Sequence, residues 1–79
     1  MDNPFSIARA CFDDPIRYSI VTTRATVYSS LLNKNHIDND EYIGFIEELR
    51  NSSKHLFLNE NLFAVNSFFN QLKNISKNR

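Results

Sequence analysis

Phe5, Ala8, Cys11 and Phe12 fall on one side of a helix, and the residues before them carry a start signal. Asn3 reads as an N-cap followed by Pro4 at the first helical position, where a missing N–H costs nothing. This helix is expected to run through about Phe12. Asp14-Pro15 repeats the signal: a residue before proline leaves the helical region, so the pair closes the first helix and opens a second.

The stretch from Ile16 to Leu32 holds two competing patterns. Ile16, Ile20, Val21, Thr22, Thr23, Thr26, Val27 and Tyr28 favour strands by propensity. Ile20, Val27 and Leu31, beside Val21, Ala25, Tyr28 and Leu32, keep the 3.6 spacing over four turns, whereas strand alternation fails at Ile20-Val21, Val27-Tyr28 and Leu31-Leu32. The period decides for one helix of about 17 residues, and Asn33 to His36 then form a polar turn.

Asp38 and Glu41 stand at capping-box spacing, with Ile37 and Tyr42 in the two positions of a hydrophobic staple. Acids at Asp40 and Glu41 suit the positive end of the helix dipole. Tyr42, Phe45, Ile46 and Leu49 line the apolar face of the third helix, which is expected to end near Arg50 and Asn51. Ser52 to Leu58 reads either as a loop that tucks Leu56, Phe57 and Leu58 into the core or as a short helical turn. Asn59 is the expected cap of the last helix, with Leu58 and Phe63 staple-spaced. Leu62, Val65, Phe69 and Leu72 make its main stripe, widened by Phe68 and Ile75. The fold class is therefore all-α: a single domain over residues 1–79, a small bundle of three to four helices, with homodimerisation as one way of completing it.

Composition supports this. One glycine and two prolines would leave an all-β domain without its turn residues. A folded monomer of 9.2 kDa is expected to expose about 4,900 Å² and to bury roughly 63% of its extended-chain surface, a marginal amount that a second copy or a partner would improve. The longest apolar runs are three residues, far short of the about 20 a membrane helix needs, and no signal peptide is visible at the N-terminus. Cys11 has no partner within the chain, which excludes a disulfide-stapled scaffold and makes a cytoplasmic location the expectation. The sequons at Asn51 and Asn74 carry no weight without export. Eleven asparagines are the composition's one strong bias, of the kind an A+T-rich gene produces.

Nine basic and nine acidic residues cancel, which argues against wrapping nucleic acid or coating an anionic membrane. They are unevenly laid out: residues 38–48 hold five acids and no base, and after Glu60 only Lys73, Lys77 and Arg79 are charged. A helix-turn-helix DNA reader is the alternative that the lengths of the second and third helices permit. Its recognition helix would open with Asp38, Asp40 and Glu41 against phosphates, and moving that role to the last helix leaves the bases at its far end.

No constellation points to catalysis, a cofactor or a metal. His36 and His55 lie 19 residues apart in or beside expected loops, and Cys11 belongs to an apolar side, where a buried thiol is inert. The acids at 38–41 lack the glycine and the terminal glutamate of a calcium loop, and one glycine cannot build a phosphate loop.

The expected chemistry is contact with another protein. Gly44, inside the third helix, costs about 1 kcal/mol relative to alanine, and the expected reason is close approach by another helix backbone, within the chain or across an interface. Arg24 falls on a largely apolar stripe with Arg17 seven residues earlier; it is either snorkelling or paired to Asp13, Asp14 or the third helix, or it anchors an interface. Large apolar residues number 27 of 79 and cover more than half of the last helix, so Phe63, Phe68 and Phe69 are expected to meet a partner chain, with Arg24 and Gly44 beside them. In size, neutral charge and the loop followed by a capped helix at residues 33–49, the chain resembles the small helical regulators linked to biofilm formation and acid survival in enteric bacteria. That likeness covers under half of the chain, needs a gap inside a helix, and assigns no functional residue. The expected function is a small non-catalytic regulator or adaptor acting by protein–protein binding, as a homodimer or with another protein.

Overall fold

A computed structural model describes residues 4–78. Helix α1 spans Pro4–Ala8 and continues as a 3-10 turn over Arg9–Cys11; α2 spans Pro15–Asn33, α3 Asn39–Ser52 and α4 Leu62–Lys77, with 3-10 turns at Lys54–Leu56 and Asn59–Asn61 between the last two. The all-α bundle stands, with no strand among the described residues. The proposed cap Asn3 lies outside the described residues, and the first helix tightens into 3-10 geometry before Phe12.

The segment rich in β-branched residues is one helix, as its period requires. Asp14 caps it, accepting the Arg17 N–H at 2.9 Å. Its threonines are accommodated by bonding back one turn: Thr22 Oγ1 donates to the Tyr18 carbonyl at 2.7 Å and Thr26 Oγ1 to that of Thr22 at 2.8 Å. It ends in a Schellman motif. Asn35 stands at φ 60°, its N–H on the Leu32 carbonyl at 3.0 Å, and the His36 N–H reaches Leu31 at 2.9 Å. Asparagine is the non-glycine residue best suited to that left-handed position. The capping box of α3 is complete, Asp38 accepting from the Glu41 N–H at 2.8 Å and Glu41 from the Asp38 N–H at 3.0 Å.

The start of α4 departs from expectation. Asn59 opens a 3-10 turn instead of capping the helix. Asn61 occupies the cap position, but its side chain donates to the Ala10 carbonyl at 2.8 Å and leaves the helix end uncapped by a side chain. The Leu58 N–H bonds the Cys11 carbonyl at 2.9 Å, so the α3–α4 connection is clasped to the end of the first helix. Leu58 and Phe63 form no staple, because Phe63 points to solvent. Both readings of residues 52–58 hold in part: a helical turn forms at Lys54–Leu56, and Leu56 and Phe57 still pack on the core.

Helix α4 is the centre of the packing, with α1 and α3 against it, and α3 carries α2. The core is Ala8, Cys11 and Phe12 from the N-terminal segment, Val21, Ala25 and Leu32 from α2, Tyr42, Ile46 and Leu49 from α3, and Ala64, Val65, Phe68, Phe69 and Leu72 from α4. An aromatic chain runs through it, Phe5–Phe68–Phe69–Phe57–Phe12–Tyr18, with successive ring centroids 4.9–6.2 Å apart. The exposed surface, 5074 Å², is close to the value expected of a monomer of this mass.

Candidate functional site

Of the residues expected to meet a partner, Phe68 and Phe69 are fully buried within the chain. They fill the space between α1, α3 and the 52–61 connection, so the width of the apolar face on α4 is consumed by packing on several sides and offers no docking surface there. Phe63, by contrast, is 80% exposed on the side of α4 away from the core, next to Leu62 at 58%. Asn66 and Asn70, one and two turns further along α4, are exposed as well, so the apolar patch around Phe63 is small.

Gly44 is exposed, and a Cβ built there would meet nothing within 4 Å. Among the described residues no helix approaches it, which removes close packing within the chain as the reason for a glycine here and leaves the interface alternative. Arg24 is exposed on α2. Among the described residues it enters no ion pair: Asp14 pairs with Arg17 at 3.5 Å, and the acidic α3 sends Glu47 to Lys73 at 3.7 Å.

The larger surprise is on α2. Val21, Ala25 and Leu32 form its buried stripe, with Tyr28 beside them, while Ile16, Ile20 and Val27 lie on the opposite side and stay exposed, Ile16 at 73% and Val27 at 50%. Ile20 and Val27 keep the helical spacing as regularly as the buried stripe does, but α2 packs mainly on α3 and buries about one side, that of Val21, Ala25 and Leu32. From this outer stripe the apolar surface runs past Arg24 to Tyr28, whose ring lies 5.2 Å from that of Phe45 on α3. Phe45 is itself 37% exposed, and Glu41 and Glu48, one turn to either side of it, are exposed as well. Ile20, Arg24, Val27, Tyr28 and Phe45 thus form one face over α2 and α3. A sequence signal for it existed in the two apolar stripes of residues 16–32, one more than a helix on the outside of a small bundle can bury.

Elsewhere the chemistry is quiet. A shallow polar cleft lined by residues 35–41 sits at the amino end of α3, where Asp38 and Glu41 already take up two backbone N–H groups. A smaller one lies between Arg9, Phe12 and Tyr18, with the Arg9 guanidinium 5.4 Å from the Tyr18 ring centre. Cys11 is buried, its sulfur 3.8 Å from the Ile7 carbonyl, and burial pushes its thiol up to about 11, away from the reactive thiolate. No group of three or more His, Cys, Asp or Glu able to hold a metal exists among the described residues, and no helix is long and apolar enough to cross a membrane. In the α2–turn–α3 unit the end of α3 that would approach a nucleic-acid backbone carries Asp40 and Glu41.

Comparison with family models, with curated proteins and with solved structures finds no match, so the likeness of residues 33–49 to enteric regulators has no counterpart there.

Proposed function

We propose that this chain is a small non-catalytic regulatory or adaptor domain of the cytoplasm that binds protein through the outer face of α2 and the adjoining Phe45. The observation that carries the reading is the exposure of Ile16, Ile20 and Val27 on the side of α2 opposite its buried stripe. Each such side chain gains about 1.5–3 kcal/mol when fully removed from water, so covering the stripe supplies a binding free energy that the bundle itself leaves unused. Arginine set among aliphatic groups, as Arg24 is, is a common anchor at such surfaces. The unpaired Cys11 fits a reducing compartment.

The test is recovery of bound proteins from the source cell with the wild-type chain and with an Ile20→Ser/Val27→Ser double variant, followed by calorimetry of any recovered protein in purified form. Binding that the double variant loses by at least about tenfold is expected. Equal binding by both chains, or none by either, removes α2 as the docking face.

A further inference from the structure

We infer that this face is built to take a second copy of the chain, packed about a twofold axis so that α2 of one protomer lies on α3 of the other. The inference rests on the docking role proposed for the α2 face and names its occupant. The Tyr28–Phe45 ring contact at 5.2 Å makes the outer sides of α2 and α3 one continuous surface, and that surface has two unlike halves. The α2 half is aliphatic and cationic: Ile20 and Val27 flank Arg24, and Pro15–Asn33 contains no acid. The α3 half is aromatic and anionic, with Phe45 between Glu41 and Glu48. Rotating a copy by 180° sets each half against the other. The aromatic ring then meets the aliphatic stripe and the arginine meets the glutamates, twice over, as an isologous interface requires.

The charges already engaged narrow the pairing. Arg17 is held by Asp14, Glu47 by Lys73, and Glu41 by the capping box. Arg24 and Glu48 are exposed charges of this surface that enter neither an ion pair nor a side-chain hydrogen bond among the described residues, one on each half. A docking segment of single charge would satisfy one half and repel the other, whereas a second copy satisfies both. Gly44, exposed on α3 beside Phe45, also lets the approaching helix come close.

Sedimentation equilibrium of the full chain from about 1 μM to about 1 mM tests this, with charge reversals as the discriminating arm. The wild type is expected to dimerise with increasing concentration. Arg24→Glu and Glu48→Arg are each expected to weaken the dimer by roughly tenfold, and an equimolar mixture of the two to recover wild-type affinity within about threefold, because the mixed dimer forms one native ion pair and one with its signs exchanged. Both sites are exposed, so circular dichroism and thermal melting of the variants report folding independently. A wild type that stays monomeric at the highest concentration overturns the inference, as does a dimer that ignores the reversals or a mixture that fails to recover. If the chain is monomeric yet binds a purified protein through Ile20 and Val27, the self-pairing falls while the docking role stands. If it does neither, both fall.

Discussion

Tyr42 on α3 donates its hydroxyl to the carbonyl of Leu72 on α4 at 2.8 Å. Its single proton being so committed, its oxygen accepts from the Ser29 hydroxyl of α2 at 3.2 Å. One fully buried side chain therefore joins three helices by polar contacts inside an apolar core, where the geometry of each is demanding.

Tyr42→Phe keeps the ring and removes the link. The Ser29 hydroxyl loses its acceptor and the Leu72 carbonyl one of its donors, and the expected cost is about 1 kcal/mol, read as a lower urea midpoint at unchanged slope. An unchanged midpoint would show that the bond is worth nothing net.

Gly44→Ala is expected to stabilise the monomer by about 0.5–1 kcal/mol. The new methyl group meets nothing within 4 Å, and the helix interior gains the propensity that glycine gives up. Thermal melting at low concentration, where the monomer dominates, is the measurement. A loss of stability there would reveal a close approach that the structure does not show.

Phe68 and Phe63 should behave as opposites. Phe68→Ala opens a cavity between the rings of Phe5 and Phe69 and is expected to cost roughly 3–5 kcal/mol, a large share of the about 4–12 kcal/mol typical of a chain this long. Phe63→Ser, at an exposed site, should stay within about 0.5 kcal/mol of wild type. Denaturant titration of both variants checks the contrast, and similar losses would contradict the burial pattern.

Alkaline pH should destabilise the chain through Cys11. Its thiol ionises near 9.0 when unfolded and near 11 when buried, so the unfolded state releases its proton first and stability falls as pH rises between those values, after being fully present below about pH 9. Burial likewise raises the Tyr42 hydroxyl above its ordinary 10.0, with the Ser29 bond opposing, which adds a further loss in the same direction at higher pH. Cys11→Ala should flatten the slope of stability between pH 9 and 11, and a slope equal to that of wild type would assign the effect elsewhere.

How much of this could be read in advance differs from element to element. The caps at Asp14 and Asp38 are local, involving groups three residues apart; both starts are legible in the sequence, and at Asp38 the partner Glu41 is as well. The direction of α2 was not, because its two stripes are equally regular and only the position of α3 decides which of Val21 and Val27 is buried. Asn59 and Asn61 are equally good caps by residue type, and the choice fell to neither side chain because Ala10, 51 residues before Asn61, claimed the second. At the candidate site, Arg24 was found from spacing. Phe45 shares the apolar face of α3 with Tyr42, Ile46 and Leu49 by spacing, yet it lies 37% exposed at the edge of that face with Gly44 exposed beside it; which edge is covered depends on where α2 and α4 pack, which no local pattern records.

The ring of Phe5 rests 6.2 Å from that of Phe68, and the Cys11 carbonyl takes its bond from Leu58, so the first helix is held by parts of the chain synthesised well after it. Until α4 exists, α1 lacks most of the surface it packs on. α2 and α3, by contrast, can pair as a hairpin through local contacts. Such a hairpin would already carry both Ile20 and Phe45, so under the proposed self-pairing two nascent chains could meet before α4 is made.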